Sequence, residues 1–280
     1  MPCDGRRSMD SMKRTVVLMV CLCLAVVTAC TTVPITGRQQ LSFVPPSTML
    51  RMSYQQYNDF LKENALSTDT VQTAMVKETG ARISRAVEQY FIRSGMRYEL
   101  DNYDWEFNLI EEDTVNAWCM PGGKVAVYTG ILPVTGDENG LAVVMGHEIG
   151  HAVAGHGGER MSHLLAVQLG GIALAVAMNE KPAAAQSLWF TAYGLASQIG
   201  FILPYSRLQE YEADRLGLIF IAMAGYDPHH AVTLWKRMKA EKKGTAQPAF
   251  LSTHPTDEAR ISEIERLIPE AMRYYRDAMR

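Results

Sequence analysis

Apolar positions recur every three or four residues from Pro46 to about Tyr90: Met49, Met52, Tyr57, Phe60 and Leu61, then Val71, Met75, Ile83 and Val87. That spacing predicts helix, with Gly80 as a candidate break. Residues 103–118 alternate instead, with Trp105, Phe107 and Leu109 set between polar partners, and predict a strand. Pro121-Gly122-Gly123 reads as a turn, and Lys124 to Thr129 as a second strand. From Asn139 onward almost every segment has a helical pattern, and no internal repeat is visible. This order predicts one α+β domain over residues 47–280, mostly helical, with a small antiparallel sheet among the helices. Leu164–Met178 and Leu188–Leu203 are strongly apolar and read as core helices, or alternatively as a membrane-facing or substrate-guiding surface. Gly170-Gly171 and Pro204 interrupt them, and no unbroken apolar run reaches the eighteen or so residues of a spanning helix.

The N-terminus follows a different pattern. Lys13 and Arg14 precede fifteen apolar or small residues, Thr15 to Ala29, which is the layout of an export signal. At 1.5 Å per residue the run is about 22 Å long, short of the ~30 Å hydrocarbon core of a bilayer. It ends in Val27-Thr28-Ala29-Cys30, which resembles the bacterial lipobox, where cleavage before the cysteine leaves a thiol that carries lipid. The expectation is a lipoprotein signal over 1–29 and a lipidated, Pro- and Gly-punctuated tether over 30–46. Cys30 would then hold the chain on a lipid bilayer facing the periplasm of a bacterial envelope. Thr31 rather than Asp after the cysteine fits sorting to the outer membrane by the same resemblance.

Composition adds mainly exclusions. The 280 residues are 48% hydrophobic and 20% charged, as in a globular chain, and the formal net charge of −3 gives no electrostatic reason to expect nucleic acid. From Cys30 onward 23 basic and 28 acidic residues remain, with Cys119 as the only other thiol. A chain with no cysteine pair to form suits an oxidising compartment.

The chemistry lies in His147-Glu148-Ile149-Gly150-His151. Helix positions four apart differ by about 40° in azimuth, so both imidazoles leave one face and can reach one ion. Glu148, on the flank of that face, can take a proton from water and hand it to a leaving amine. Composition alone would produce the pattern about once in ninety such chains. The helix is apolar nearly all round, so a histidine pair and a glutamate buried in it need partners or a metal. Ala154 and Gly157 stand where a metzincin has Gly and His, so the third ligand lies elsewhere. His156, about half a turn away from His147, reads as structural or surface. Glu210 and Asp214, four apart in Ser206-Arg207-Leu208-Gln209-Glu210-Tyr211-Glu212-Ala213-Asp214, share a face. One of them can ligate zinc while the other accepts a ligand histidine's free N–H. Glu212 should point elsewhere.

His-Glu-Ile-Gly-His followed by Ser-Arg-Leu-Gln-Glu-Tyr-Glu-Ala-Asp resembles the HtpX and CAAX-prenyl-protease family of zinc metallopeptidases, family forty-eight of the metallo class. Asn116 to Tyr128 is similar to that family's edge-strand segment, and Thr253-His254-Pro255 with Arg260-Ile261 to its C-terminal block. Val33-Pro-Ile-Thr-Gly37-Arg38 resembles its lipoprotein and mitochondrial quality-control members. The resemblance implies a gluzincin-type domain binding one Zn2+ through His147, His151 and Glu210, with Glu148 as general base and acid. It implies that Asp214 orients a ligand histidine, and that Arg207 either stabilises the oxyanion or pairs with Asp214 or Glu210. Main-chain groups around Asn116 and Ala117 would receive an extended polypeptide. His254, in a Pro-flanked loop, would either reach the metal as a fourth ligand and latch, or cap the next helix or line the cleft. The function so implied is an endopeptidase acting on misfolded or misassembled envelope proteins, with envelope assembly machinery as a further partner. A non-hydrolytic chaperone or assembly factor is the alternative, and the intact Glu148 favours the enzyme.

Overall fold

The computed structural model describes residues 30–198, 202–241 and 249–280, so the export signal expected over 1–29 lies outside them. A short hairpin comes first, β1 (Cys30–Thr32) antiparallel to β2 (Gln39–Leu41). Val33 in its turn is fully buried, so the expected tether is docked on the body. Helices α1 (Pro46–Glu63) and α2 (Thr70–Arg93) follow. Pro46 suits the first turn of α1, where its missing N–H has no partner to lose. The Asp69 carboxylate accepts from the N–H groups of Val71 and Gln72 and starts α2. The break between them is at Asn64–Asp69 and not at Gly80, which sits inside α2 against the Phe107 ring.

Three strands, β3 (Glu106–Ile110), β4 (Ala117–Met120) and β5 (Lys124–Tyr128), form a sheet in the order β3-β5-β4. β4 and β5 are antiparallel, but β5 runs parallel to β3, pairing Glu106 with Lys124 and Ile110 with Tyr128. The sheet is therefore mixed where an antiparallel one was expected. The cause is topological: the β4–β5 turn inserts β5 between the other two strands, and alternation of side chains carries no information about strand order. β4 is left at an edge.

A short helix α3 (Leu132–Thr135) leads to α4 (Glu138–Val153), which Asp137 caps through the Gly140 N–H. Beyond it come α5 (His156–Met178), α6 (Ala183–Ser197), α7 (Leu203–Met223), α8 (His230–Glu241), α9 (Ala249–Thr253) and α10 (Glu258–Ala278). The core is built where α4 crosses α7 and α7 packs on α10, and α4 is buried along almost its whole length. The α+β, mostly helical class stands.

Among the described residues, the core reading of 164–178 and 188–203 does not hold. Only the first two turns of α5 enter the body, at His156, Glu159, Ser162 and His163. Beyond them α5 and α6 pack on each other, with the Tyr193 hydroxyl donating to the Val167 carbonyl at 2.7 Å. Their outer apolar faces are exposed, among them Leu169, Ile172, Val176, Leu188 and Trp189. By length and composition α5 could cross a membrane, with a mean hydropathy of 1.7 over eighteen residues.

Candidate metal centre

α4 presents His147, Glu148 and His151, and α7 presents Glu210 and Asp214, all buried. The two helices come together through glycines. A Cβ on Gly217 would lie 2.9 Å from the Gly146 carbonyl carbon and the His147 nitrogen, so a larger residue would hold the helices apart. His254 arrives from α9, whose last turn it closes with an N–H bond of 2.9 Å to the Phe250 carbonyl. It thus follows a short helix where a loop was expected. Asp257 caps α10, so His254 does not serve as that cap.

Ligating atoms of His147, His151, Glu210 and His254 all lie within 4.8 Å of one another. His147 Nε2 is 3.1 Å from His151 Nε2, 3.2 Å from His254 Nδ1 and 3.4 Å from Glu210 Oε2. Glu210 is 3.3 Å from His151 Nε2 and 3.1 Å from His254 Nδ1. Zinc bonds of about 2.0–2.1 Å in a tetrahedron set the ligand atoms about 3.3 Å apart. The donor set, three imidazoles and a carboxylate, and its spacing fit zinc. Glu148 stands beside the cluster. Its Oε1 is buried without a hydrogen-bond partner and lies 3.3 Å from His254 Nε2.

The sequence profile of peptidase family M48 matches residues 77–268, over half of the chain. The chain belongs to this family. The mitochondrial metalloendopeptidase OMA1 of Schizosaccharomyces pombe is 35% identical over 240 residues, 85% of this chain and 66% of that protein. Human mitochondrial metalloendopeptidase OMA1 is 31% identical over 251 residues, 86% of this chain and 46% of its own length. The beta-barrel assembly-enhancing protease of Escherichia coli is 30% identical over 169 residues, 57% of this chain and 33% of its own length. The chain spans less than two thirds of each of these M48 relatives.

The electrostatics of this M48 site favour a cation. Burial pushes the Glu210 carboxyl up, but its close polar contacts with the rings of His147, His151 and His254 more than reverse this and hold it well below the usual range. Burial likewise opposes charge on Asp214, and the Arg260 guanidinium brings it down. Burial disfavours a charged His147, yet the bonds to Asp214 and Glu210 carry it up to about 9, so a proton on this ring competes with a metal ion for the same site. Burial leaves His151 well below the usual imidazole value, and so neutral, the form in which it can ligate.

Each expected residue has a place. Asp214 Oδ1 lies 3.0 Å from His147 Nδ1, the nitrogen turned away from the cluster. Arg207 is exposed and makes none of the expected pairs; it lines a cavity of 610 Å3 that opens onto Glu210. The arginine at the site is Arg260, buried on α10. It donates two bonds to Asp214, at 2.7 and 2.8 Å, lies 2.9 Å from Glu210, and stacks 3.8 Å over the Trp235 ring. Arg260 belongs to the C-terminal motif, but nothing in its local sequence ties it to residues 46 positions earlier. Ala117 pairs with Val127 in edge strand β4, and the Asn116 carbonyl accepts from the Tyr128 N–H. Phe250 N–H donates to the Val115 carbonyl at 3.0 Å, which fastens the His254 segment to the start of that strand. His156, expected to be structural or on the surface, is fully buried and bonded to His151, and Glu212 reaches the same cluster from behind. Cys30 is exposed at the start of β1.

Proposed function

We propose that the chain is a zinc metalloendopeptidase of the bacterial cell envelope, held on a membrane facing the periplasm through a lipidated Cys30. The observation that carries the hydrolytic reading is the clustering of ligating atoms of His147, His151, Glu210 and His254 within 4.8 Å of one another, with the buried Glu148 Oε1 beside them, 3.3 Å from His254 Nε2. A bound zinc supplies Lewis acidity, making water nucleophilic near neutral pH and polarising the scissile carbonyl. Glu148 takes the proton of the attacking water on Oε1 and passes it to the leaving amine nitrogen. Asp214, itself fixed by Arg260, holds His147 in the tautomer whose Nε2 faces the metal. An extended polypeptide adds along residues 115–120 at the edge of β4 away from β5, where the strand turns main-chain groups outward. Arg207, at the mouth of the cavity, meets the substrate rather than the ligands.

His254 closes the fourth corner at rest, and substrate moving along β4 displaces it. Misfolded or misassembled envelope proteins are the substrate class. The reading is supported by the lipobox-like Val27 to Cys30 and by likeness to a relative named for enhancing beta-barrel assembly, alongside mitochondrial relatives. The test is casein hydrolysis by the full chain with and without a zinc chelator, beside Glu148→Gln. Hydrolysis that stops with chelator and in Glu148→Gln, with zinc retained in the variant, is the expected result. Hydrolysis undiminished in Glu148→Gln would overturn it.

A further inference from the structure

Behind His151, on the side away from the four donor atoms, runs a chain of buried polar groups that the hydrolytic chemistry leaves unused. His151 Nδ1 is 2.7 Å from His156 Nδ1, and His156 Nε2 is 2.9 Å from Glu212 Oε2. Glu212 is held in turn by the Thr36 hydroxyl and by Arg38 Nε, the latter at 2.7 Å. The two terminal nitrogens of Arg38 close on Glu159 at 2.7 and 2.8 Å, and Gln209 donates to the same carboxylate at 2.7 Å. His156, Glu159 and Gln209 are at most 1% exposed.

The roles in this chain are fixed by elementary hydrogen-bond chemistry. An ionised carboxylate only accepts, so His156 Nε2 carries the hydrogen that meets Glu212. The neutral ring then has its lone pair on Nδ1, which accepts from His151 Nδ1–H. That leaves the His151 lone pair on Nε2, the nitrogen turned toward His147 and Glu210. The backbone makes the contact. Gly155, at φ 72°, lies in the left-handed region between α4 and α5 and turns the chain back. In an unbroken helix His156 would face away. The far end of the chain belongs to the N-terminal hairpin, whose Val33 to Arg38 motif has no part in the hydrolytic step.

We infer that His156 is a positioning residue for His151, and that Thr36 and Arg38 complete it, so that the hairpin beginning at Cys30 forms part of the metal centre. This rests on the zinc-peptidase reading. The two ligand histidines are therefore oriented by different routes, His147 directly by Asp214 and His151 through His156 to Glu212. Loss of the acceptor at 156 leaves a buried His151 N–H unpaired and frees the ring to turn or exchange tautomers. Loss of Arg38 leaves Glu159 and Glu212 buried without the guanidinium between them, and Glu212 no longer fixes His156. Metal affinity thereby reports whether the hairpin is docked.

The test uses the full chain, measuring zinc affinity by chelator competition and the visible spectrum of the cobalt-substituted form. His156→Leu and Arg38→Ala should each weaken zinc binding by about 10- to 100-fold and shift the cobalt bands. His156→Asn keeps an oxygen near the Nδ1 position to accept from His151 but loses the bond to Glu212, and should recover part of the affinity and of the spectrum. A folded His156→Leu or Arg38→Ala with wild-type affinity and spectrum would refute the inference, as would His156→Asn behaving like His156→Leu. If Arg38→Ala does not fold, Thr36→Val, which removes one bond from Glu212 and keeps every charge, replaces it. Unchanged affinity and spectrum there refute the role of the hairpin. A wild-type chain that takes up no zinc overturns the peptidase reading instead, which is a separate result.

Discussion

Arg260 and Arg207 show how little residue type decides at this site. Arg260 is buried between Asp214, Glu210 and the Trp235 face, whereas Arg207 is exposed. Breaking a buried ion pair from one side leaves the other charge uncompensated, at about 3–5 kcal/mol. Arg260→Met should lower the stability of the metal-free chain by that amount in urea unfolding, while Arg207→Ala should stay within about 0.5 kcal/mol. His254 makes a second prediction at this scale. On the proposed reading it is a resting fourth ligand and would block the corner that water needs. His254→Ala should then cleave an unstructured peptide with a faster initial rate than wild type at matched zinc content and fixed pH. A mutant equal to or slower than wild type, with zinc unchanged, would leave His254 as a packing or substrate-binding residue.

At the scale of elements, the site is a crossing of two helices, and its precision depends on how closely they approach. Gly217→Ala would set a methyl group against the backbone of Gly146 and His147. Overpacking of this kind costs about 1–3 kcal/mol, and here it also moves Glu210 and Asp214 away from the histidines. Gly217→Ala should therefore lose stability together with bound metal, measured by thermal melting and elemental analysis. Gly157, at the start of α5, has nothing within 4 Å of an added Cβ. Gly157→Ala should be neutral or stabilising by up to about 1 kcal/mol, with metal content unchanged. A Gly217→Ala chain that keeps its zinc would show that the crossing tolerates separation.

For the whole molecule, the exposed arm of α5 and α6 is the feature that stability does not explain. Side chains already in solvent contribute little to folding, so Leu169→Ser combined with Ile172→Ser should change the unfolding free energy by no more than about 1 kcal/mol. The same pair should raise the monomeric fraction in light scattering, because a smaller apolar patch drives less association. A large loss of stability would mean that the arm is covered in the free chain. The anchor is tested at this scale too. Cys30→Ser should abolish fatty-acid labelling and release the chain from membranes, and unchanged labelling would rule out lipidation at Cys30.

What the sequence determined by itself is what is local in the chain. His147, Glu148 and His151 are legible because a helix turns four residues into one face, and Glu210 with Asp214 for the same reason. The helices were legible from their periodicity and β3 from alternation, but that alternation ran β3 and the start of β4 together as one strand over 103–118, and the β1–β2 hairpin read as a tether. Tertiary structure decided everything that requires two distant segments to meet. It put Arg260 rather than Arg207 on Asp214, brought His254 within reach of Glu210, and set β5 parallel to β3. It also turned His156 inward onto His151, because Gly155 ends one helix before the next begins, while Glu212 on α7 keeps off the face of Glu210 as the helical projection has it and meets His156 instead. The apolar arm shows the same limit from the other side. Its composition fits a core as well as it fits an exposed face, and only the packing of the remaining helices settles which it is.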